Sequence, residues 1–432
     1  MARAIGTVKN ASDPSAADAD RRYGETGRPQ ASPTHSIRDA AGVRDNHSAV
    51  DCRSDRAQDA VMSAPRTLIL VTSHPGQLSC SELARKATAG ERPRKDYVEL
   101  ASALGADVVD EDYLTVRATS LARSIARGVS RPAGQAIEGF LRGGRYDHIC
   151  AWSDRIGLQL AFLHKLARRS RDLVLISSWL SATKPAFMLR ELRVHTHLRA
   201  IISYSSQQNR IAATRLGVPA RKLHLALQPV DERFWRPEIT ESARVICSVG
   251  VSGRDYETLF DAVRGLDLEV RVAVGGGELP ARLLEQRLER AGPPPNARME
   301  HHRPVELRRL YSSARFVVVP LEDMEYDAGV TTLAEAMSMG KAVIVTRTRG
   351  QIDLIQDGTQ GIYVPPKDPR ALRAAIEHLI ADPAEAERMG RAGRALVEQR
   401  LTLSGYVAGL AKIVRGEATA GSMEARGMPI SP

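Results

Sequence analysis

With 432 residues, 43 % of them hydrophobic, the chain is long enough for two or three domains and apolar enough to bury a sizeable core. Its four cysteines are scattered and form no Cys-x-x-Cys pair, which argues against a disulfide framework and for reduced, buried thiols in a cytoplasmic protein. No apolar run approaches the length that crosses a bilayer, the N-terminus has no apolar signal region, and 4 % aromatics with no recognition module disfavour nucleic acid. The net charge of +10 is unevenly placed: from Arg117 to Lys222 there are 19 Lys or Arg against 5 Asp or Glu. Such a surface suits phosphorylated substrates or anionic lipid heads.

Residues 1–63 lack apolar periodicity and read as a disordered leader, with Met62 as a candidate start. Strands and helices then alternate. Thr67 to Thr72 is an apolar strand, followed by the loop Ser73-His74-Pro75-Gly76-Gln77, where Gly76 lets the backbone approach a phosphate. Val98 to Leu104 has helical spacing, Ala106 to Val109 reads as a strand, and Leu121 to Leu141 as one long amphipathic helix. Strands are expected at Asp147 to Trp152, Leu173 to Ser177, Ala200 to Tyr204 and Lys222 to Ala226, with helices at Ile156 to Arg168, Phe187 to Val194 and Gln207 to Leu216 between them. This is one Rossmann-like domain, residues 64–228.

Residues 229–243, opening with Pro229 and Phe234-Trp235-Arg236-Pro237, read as a hinge. A second Rossmann-like domain, residues 244–401, begins with the strand Val245 to Val249. Gly250-Val251-Ser252-Gly253-Arg254 leads into a helix from Asp255 to Val263. Leu268 to Val274 is a strand, Gly275 to Gly277 a turn, and Leu279 to Arg290 a helix. Ala297 to His301 is a strand and Val305 to Ser312 a helix.

The most informative stretch runs from Arg315 to Val364. The apolar strand Phe316 to Pro320 is followed by an acidic loop, and Asp327-Ala328-Gly329-Val330-Thr331-Thr332 opens a helix that stops at Gly340, before a strand from Ala342 to Thr346. Free amides and the positive end of the helix dipole meet at Gly329 to Thr332, a setting that suits a phosphate. Glu335 lies about a turn further in, where a carboxylate accepts ribose hydroxyls. After Pro366 two helices are expected, then an apolar segment within residues 402–415, and a disordered tail, residues 416–432.

This segment resembles the donor-nucleotide region of GT-B glycosyltransferases of the family 4 type (glycosyl transferases group 1). That family carries two acidic residues separated by seven others and then an Ala-Met-x-x-Gly run. Here these are Asp327, Glu335 and Ala336-Met337-Ser338-Met339-Gly340, with Asp where the family usually has Glu. Gln228 to Pro237 is similar to the family's Val-Asp…Phe-x-Pro segment between domains. The resemblance covers roughly residues 65–415 and implies an α/β fold of two Rossmann-like domains, with a C-terminal helix crossing back to the N-terminal one. It implies sugar transfer from a nucleotide-sugar donor to a hydroxyl acceptor, retaining and metal-independent, with no cofactor beyond the co-substrate.

It also implies roles for residues. Asp327 meets donor sugar hydroxyls and Arg254 the leaving diphosphate, although the lysine that usually follows is absent. Gly76, Gly329, Val330, Thr331, Thr332 and Glu335 line the donor, and His74 stands beside it. No histidine follows the strand ending at Ser177; Trp179 is placed to stack on a sugar and Lys184 to meet an anionic group. The basic stretch is compatible with an anionic or lipid-linked acceptor and with peripheral contact to the inner membrane face. Asp110-Glu111-Asp112 has the form of a metal signature and reads instead as a solvated acidic loop; His195, His197, His301 and His302 lack a completed ligand set. Two rival readings are a non-catalytic nucleotide-sugar-binding scaffold and a GT-B-fold sugar-nucleotide epimerase.

Overall fold

The computed structural model describes residues 66–72, 74, 76–238, 244–274, 284, 286, 288, 289 and 292–418. The apolar runs become strands buried on both faces, as parallel sheets covered by helices require. The first sheet holds β1 (Thr67–Val71), β2 (Asp107–Val109), β3 (His148–Trp152), β4 (Leu173–Ser177), β5 (Ala200–Ser203) and β6 (Leu223–Leu225), in the order β2-β1-β3-β4-β5-β6. The second holds β7 (Val245–Val249), β8 (Glu269–Val274), β9 (Ala297–His301), β10 (Phe316–Val319), β11 (Ala342–Thr346) and β12 (Gly361–Val364), in the order β12-β11-β10-β7-β8-β9. All pairings within them are parallel; Val317 sits opposite Cys247, and Ile69 opposite Cys150. In each sheet the strand order reverses beside the first strand. The loops leaving β1 and β3, and those leaving β7 and β10, therefore open a crevice at the strands' carboxyl ends, where such sheets bind ligands.

The expected helix from Leu121 to Leu141 is two helices, Ser120–Gly128 and Arg131–Arg142. Pro132 is the cause: it lacks the amide a continuous helix needs and is favoured in a first turn, while the Ser130 side chain accepts from the Ala133 amide at 3.3 Å. The pair folds back on itself closely, since a β-carbon on Gly134 would lie 2.6 Å from that of Ala126. The helix Cys80–Thr88 and strand β12 had no counterpart among the sequence expectations. The turn at Gly275 to Gly277, most of the helix from Leu279 to Arg290, the leader to residue 63 and the tail beyond 418 lie outside the described residues.

After the second sheet, helices Pro369–Ala381 and Pro383–Leu396 lead to helix Leu403–Val414, which packs on the first sheet. Its Leu403, Tyr406, Leu410 and Val414 share an apolar cluster with Ile69, Val71, Leu100 and Cys150. The Tyr406 hydroxyl donates to that of Tyr204 at 3.0 Å, and Arg199 Nη2 donates to the Val414 carbonyl at 2.7 Å. The two passages between domains run side by side: the Val230 amide donates to the Leu401 carbonyl at 2.9 Å, and the Leu403 amide to the Val230 carbonyl at 3.1 Å. Cys80, Cys150 and Cys247 are free thiols, and burial pushes Cys150 and Cys247 up to about 12. No helix among the described residues is long and apolar enough to cross a membrane.

Candidate active site

Gly329 starts the site. Its φ of 82° is left-handed backbone, and a β-carbon there would lie 2.8 Å from Val319 Cγ1, so only glycine serves. It brings the acidic loop hard against β10 and opens helix Val330–Ser338. Thr331 is exposed at the helix start, whereas Thr332 is buried and points inward. The Thr332 hydroxyl donates to the Val249 carbonyl at 3.2 Å and accepts from Arg254 Nη2 at 2.9 Å.

Arg254 is correspondingly 7 % exposed. Its Nε donates to the Val249 carbonyl at 2.9 Å and its Nη1 to the Ser252 carbonyl at 3.0 Å. The guanidinium lies between Gly250 and Gly329: a β-carbon on Gly250 would collide with it, and one on Gly329 would stand 3.5 Å from Nη1. Three of its five N–H donors are thus engaged within the domain, where they tie the β7 loop to the helix that follows β10.

Glu335 is half-buried one turn into that helix, and its carboxylate accepts the Tyr311 hydroxyl at 3.0 Å. Burial raises its carboxyl from 4.5 to about 7, against the pull of Tyr311, Lys95 and Arg254. Asp327 is 7 % exposed, and burial raises it from 3.8 to about 6, with Asp353 adding repulsion. Asp327 thus stands at the mouth of the helix as a carboxyl that titrates within the range useful to proton transfer or hydroxyl binding.

Thr331 and Glu335 line one wall of a cavity of about 130 Å³ between the two sheets. The opposite wall is Arg92-Pro93-Arg94-Lys95-Asp96, and Gln228 to Asp231 with Leu403 close the end. The residues from Arg92 to Asp96 and Tyr311 were absent from the expected site. A signal for the first existed, since a run of three cations interrupted by one proline precedes a helix in the N-terminal half. Tyr311 had none, because a helical tyrosine in an apolar pattern reads as core.

Other expected residues sit elsewhere. Gly76 has φ of 77° and open space around it, in the loop leaving β1; the wall opposite Glu335 is built instead by residues 92–96, beyond the intervening helix Cys80–Thr88. Trp179 faces the C-terminal domain, but its ring lies on Tyr326 at 4.5 Å between centroids, and the Tyr326 hydroxyl is 3.1 Å from that of Ser252. Lys184 is exposed in the first turn of helix Thr183–Arg190. Val330 is half-buried beside the core cluster of the second sheet. The His74 amide donates to Gln77 Oε1 at 3.2 Å.

Asp110 does local work: its carboxylate accepts the amides of Cys80 at 3.1 Å and Tyr113 at 3.0 Å, while Glu111 pairs with Arg131 at 2.9 Å and Asp112 is exposed. His302 meets Glu300 at 2.9 Å. His195 is buried and His197 half-buried, and burial among cations holds both below the usual histidine value. Among the described residues no group of three His, Cys, Asp or Glu is placed to hold a metal ion.

Residues 230–396 match the family model described as Glycosyl transferases group 1. A stretch of 106 residues is 32 % identical to alpha-D-kanosaminyltransferase of Streptomyces kanamyceticus, covering 24 % of this chain and 27 % of that protein. Another, of 181 residues, is 28 % identical to D-inositol 3-phosphate glycosyltransferase of Arthrobacter sp. (strain FB24), covering 41 % of this chain and 39 % of that one. The chain therefore spans well under half the length of these relatives. The solved structure of Anabaena HepE in complex with UDP and glucose superposes with a TM-score of 0.61 at 15 % identity, over 81 % of this chain and 99 % of that one. Sucrose-phosphate synthase of Thermosynechococcus elongatus gives 0.62 at 16 % identity, over 81 % and 98 %. The family match covers residues 230–396, in a chain whose two parallel sheets and returning helix make the GT-B fold.

Proposed function

We propose that the chain transfers a sugar from a nucleoside-diphosphate donor to a hydroxyl acceptor, with retention of configuration and without an active-site metal. The observation that carries this reading is Glu335. It is a half-buried carboxylate inside the family-matched segment, held by Tyr311, with Thr331 beside it and cations across the cavity. A ribose that donates its hydroxyls to Glu335 puts the diphosphate over the amides of Gly329 to Thr331. Asp327 then faces the sugar, and the N-terminal sheet carries the acceptor. UDP in the HepE structure supports a uridine donor as the first to try. Exposed Val116, Leu121 and Val129 beside Arg117 and Arg127 support an acceptor presented at an anionic lipid surface.

Labelled UDP-, GDP- and ADP-sugars are incubated with the protein with and without EDTA, and transfer, hydrolysis and epimerisation are read separately. Transfer or slow hydrolysis that survives EDTA supports the reading. Activity that vanishes with EDTA and returns only with manganese or magnesium removes its metal-independent part. Tight binding with no turnover favours a nucleotide-sugar-binding scaffold. That second reading draws on Arg254, whose engaged donors leave less of the fork for a leaving diphosphate.

A further inference from the structure

The cleft-facing segment of the N-terminal domain divides its three cations by what they touch. Arg94 is fully committed to the hinge. Its amide donates to Asp231 Oδ2 at 2.7 Å, its Nε and Nη2 to Asp231 Oδ1 at 3.1 and 2.6 Å, and Glu99 and Glu232 lie at 3.5 and 3.7 Å. Arg92 and Lys95 flank it on the same cavity wall. Arg92 Nε is buried with no hydrogen-bond acceptor. No hydrogen bond or ion pair is formed by the Lys95 ammonium among the described residues, although its charge reaches Glu335 across the gap.

Arg92 lines the cavity and makes no hydrogen bond or ion pair among the described residues, so the donors of its guanidinium that reach the cavity are open to a ligand that enters it. The carboxylates nearby do not occupy them. Asp231 is taken by Arg94, the Asp96 carboxylate accepts the Tyr97 amide at 3.0 Å, and Glu335 is held by Tyr311, with burial disfavouring its charged form. On the C-terminal side, Arg254 is engaged internally, and Lys367 pairs with Asp255 at 3.1 Å and Glu322 at 2.8 Å. The uncommitted positive charge of the cleft therefore sits on the N-terminal wall, facing the amide end of helix Val330–Ser338.

We propose that Arg92 and Lys95 form a phosphate-binding pair that closes on an anion from the side opposite the helix N-terminus. The ligand is a phosphate group, carried either by the donor diphosphate or by a phosphorylated acceptor; in the donor case the pair supplies the clamp that Arg254 supplies only in part. This inference rests on the glycosyltransferase reading for the ligand's identity but not for its chemistry. The Arg fork takes two phosphate oxygens and the Lys ammonium acts as a point charge beside it.

The test uses the full chain with Arg92→Gln, Lys95→Met and the double variant, each checked for an unchanged melting temperature. Binding of UDP, uridine, pyrophosphate and inorganic phosphate is measured by calorimetry. The double variant is expected to lose about tenfold or more in UDP affinity while uridine binding is unchanged, the scale of charged hydrogen bonds lost. Lys95→Arg should recover most of the loss from Lys95→Met. If UDP binding holds but pyrophosphate or phosphate binding falls by a similar factor, the pair serves a phosphorylated acceptor. A wild-type protein that binds pyrophosphate through this pair but no nucleotide keeps the phosphate site and removes the glycosyltransferase reading. Nucleotide and phosphate affinities untouched by both substitutions overturn the pair and leave that reading standing.

Discussion

The two walls of the cleft are held in different ways. On the C-terminal side the loops are tied from within: Arg254 binds the β7 loop and Thr332, Gly329 locks the helix against β10, and Tyr311 holds Glu335. On the N-terminal side the loops are tied across the cleft. Gln208, fully buried, donates to the Glu325 carbonyl across the cleft at 2.8 Å and to Ser181 within its own domain at 3.0 Å. The Ser206 amide donates to Asp353 at 2.8 Å, and Trp179 rests on Tyr326. The C-terminal wall is thus held by contacts within its own domain, while Ser206, Gln208 and Trp179 on the N-terminal side also lean on the other domain.

The strongest way to break that contrast is Arg254→Ala. It leaves the Ser252 carbonyl and the Thr332 hydroxyl short of a donor, leaves the Val249 carbonyl to Thr332 alone and opens a cavity, so the C-terminal domain should lose roughly 3–4 kcal/mol, measured by urea unfolding. A stability change near zero, with turnover alone reduced, would mean that Arg254 serves the ligand rather than the scaffold.

Glu335 sharpens the same contrast through pH. Its folded value of about 7 lies above the unfolded 4.5, so the folded state holds a proton that the unfolded chain has released. The stability this gives is complete below about 4.5 and is lost as pH rises through about 7, by at most about 3 kcal/mol. Asp327 adds the same sign between 3.8 and about 6. Glu335→Gln should flatten the difference between unfolding curves at pH 5 and pH 8, and should weaken UDP binding by about 1–3 kcal/mol. Parallel curves for variant and wild type would place its carboxylate in free exchange with water.

Loosening the other wall has smaller effects. Gln208→Ala should cost about 1–2 kcal/mol, and Trp179→Ala about 0.5–1.5 kcal/mol, with a rise in radius of gyration by small-angle scattering. Scattering that stays constant in both variants would show that the N-terminal loops keep their places without the contacts across the cleft.

Much of this was legible in advance because buried parallel strands write themselves as short apolar runs. β1, β4, β7, β10 and β11 emerged within a residue or so of their expected ends. The acidic pair Asp327 and Glu335 could be read because loop, glycine and helix are contiguous. The opposite wall could not be read this way. The helix Cys80–Thr88 stands between β1 and the cleft, so the segment that faces Glu335 starts sixteen residues after Gly76. Arg254 was read from its loop as a cation for the diphosphate, and its commitment to Thr332, 78 residues away, leaves no local pattern. β12 escaped because glycine and tyrosine interrupt its apolar run.

The returning helix Leu403–Val414 also sets an order of events during synthesis. One face of the first sheet, with Ile69, Val71 and Cys150, is completed by residues made more than two hundred and fifty positions later. As the chain leaves the ribosome, that apolar face waits uncovered while the whole second sheet is translated and folded. The N-terminal domain is first to be made and last to be finished, so a nascent chain stalled before Leu403 presents a sticky surface to chaperones, and release of the final helix completes the first domain.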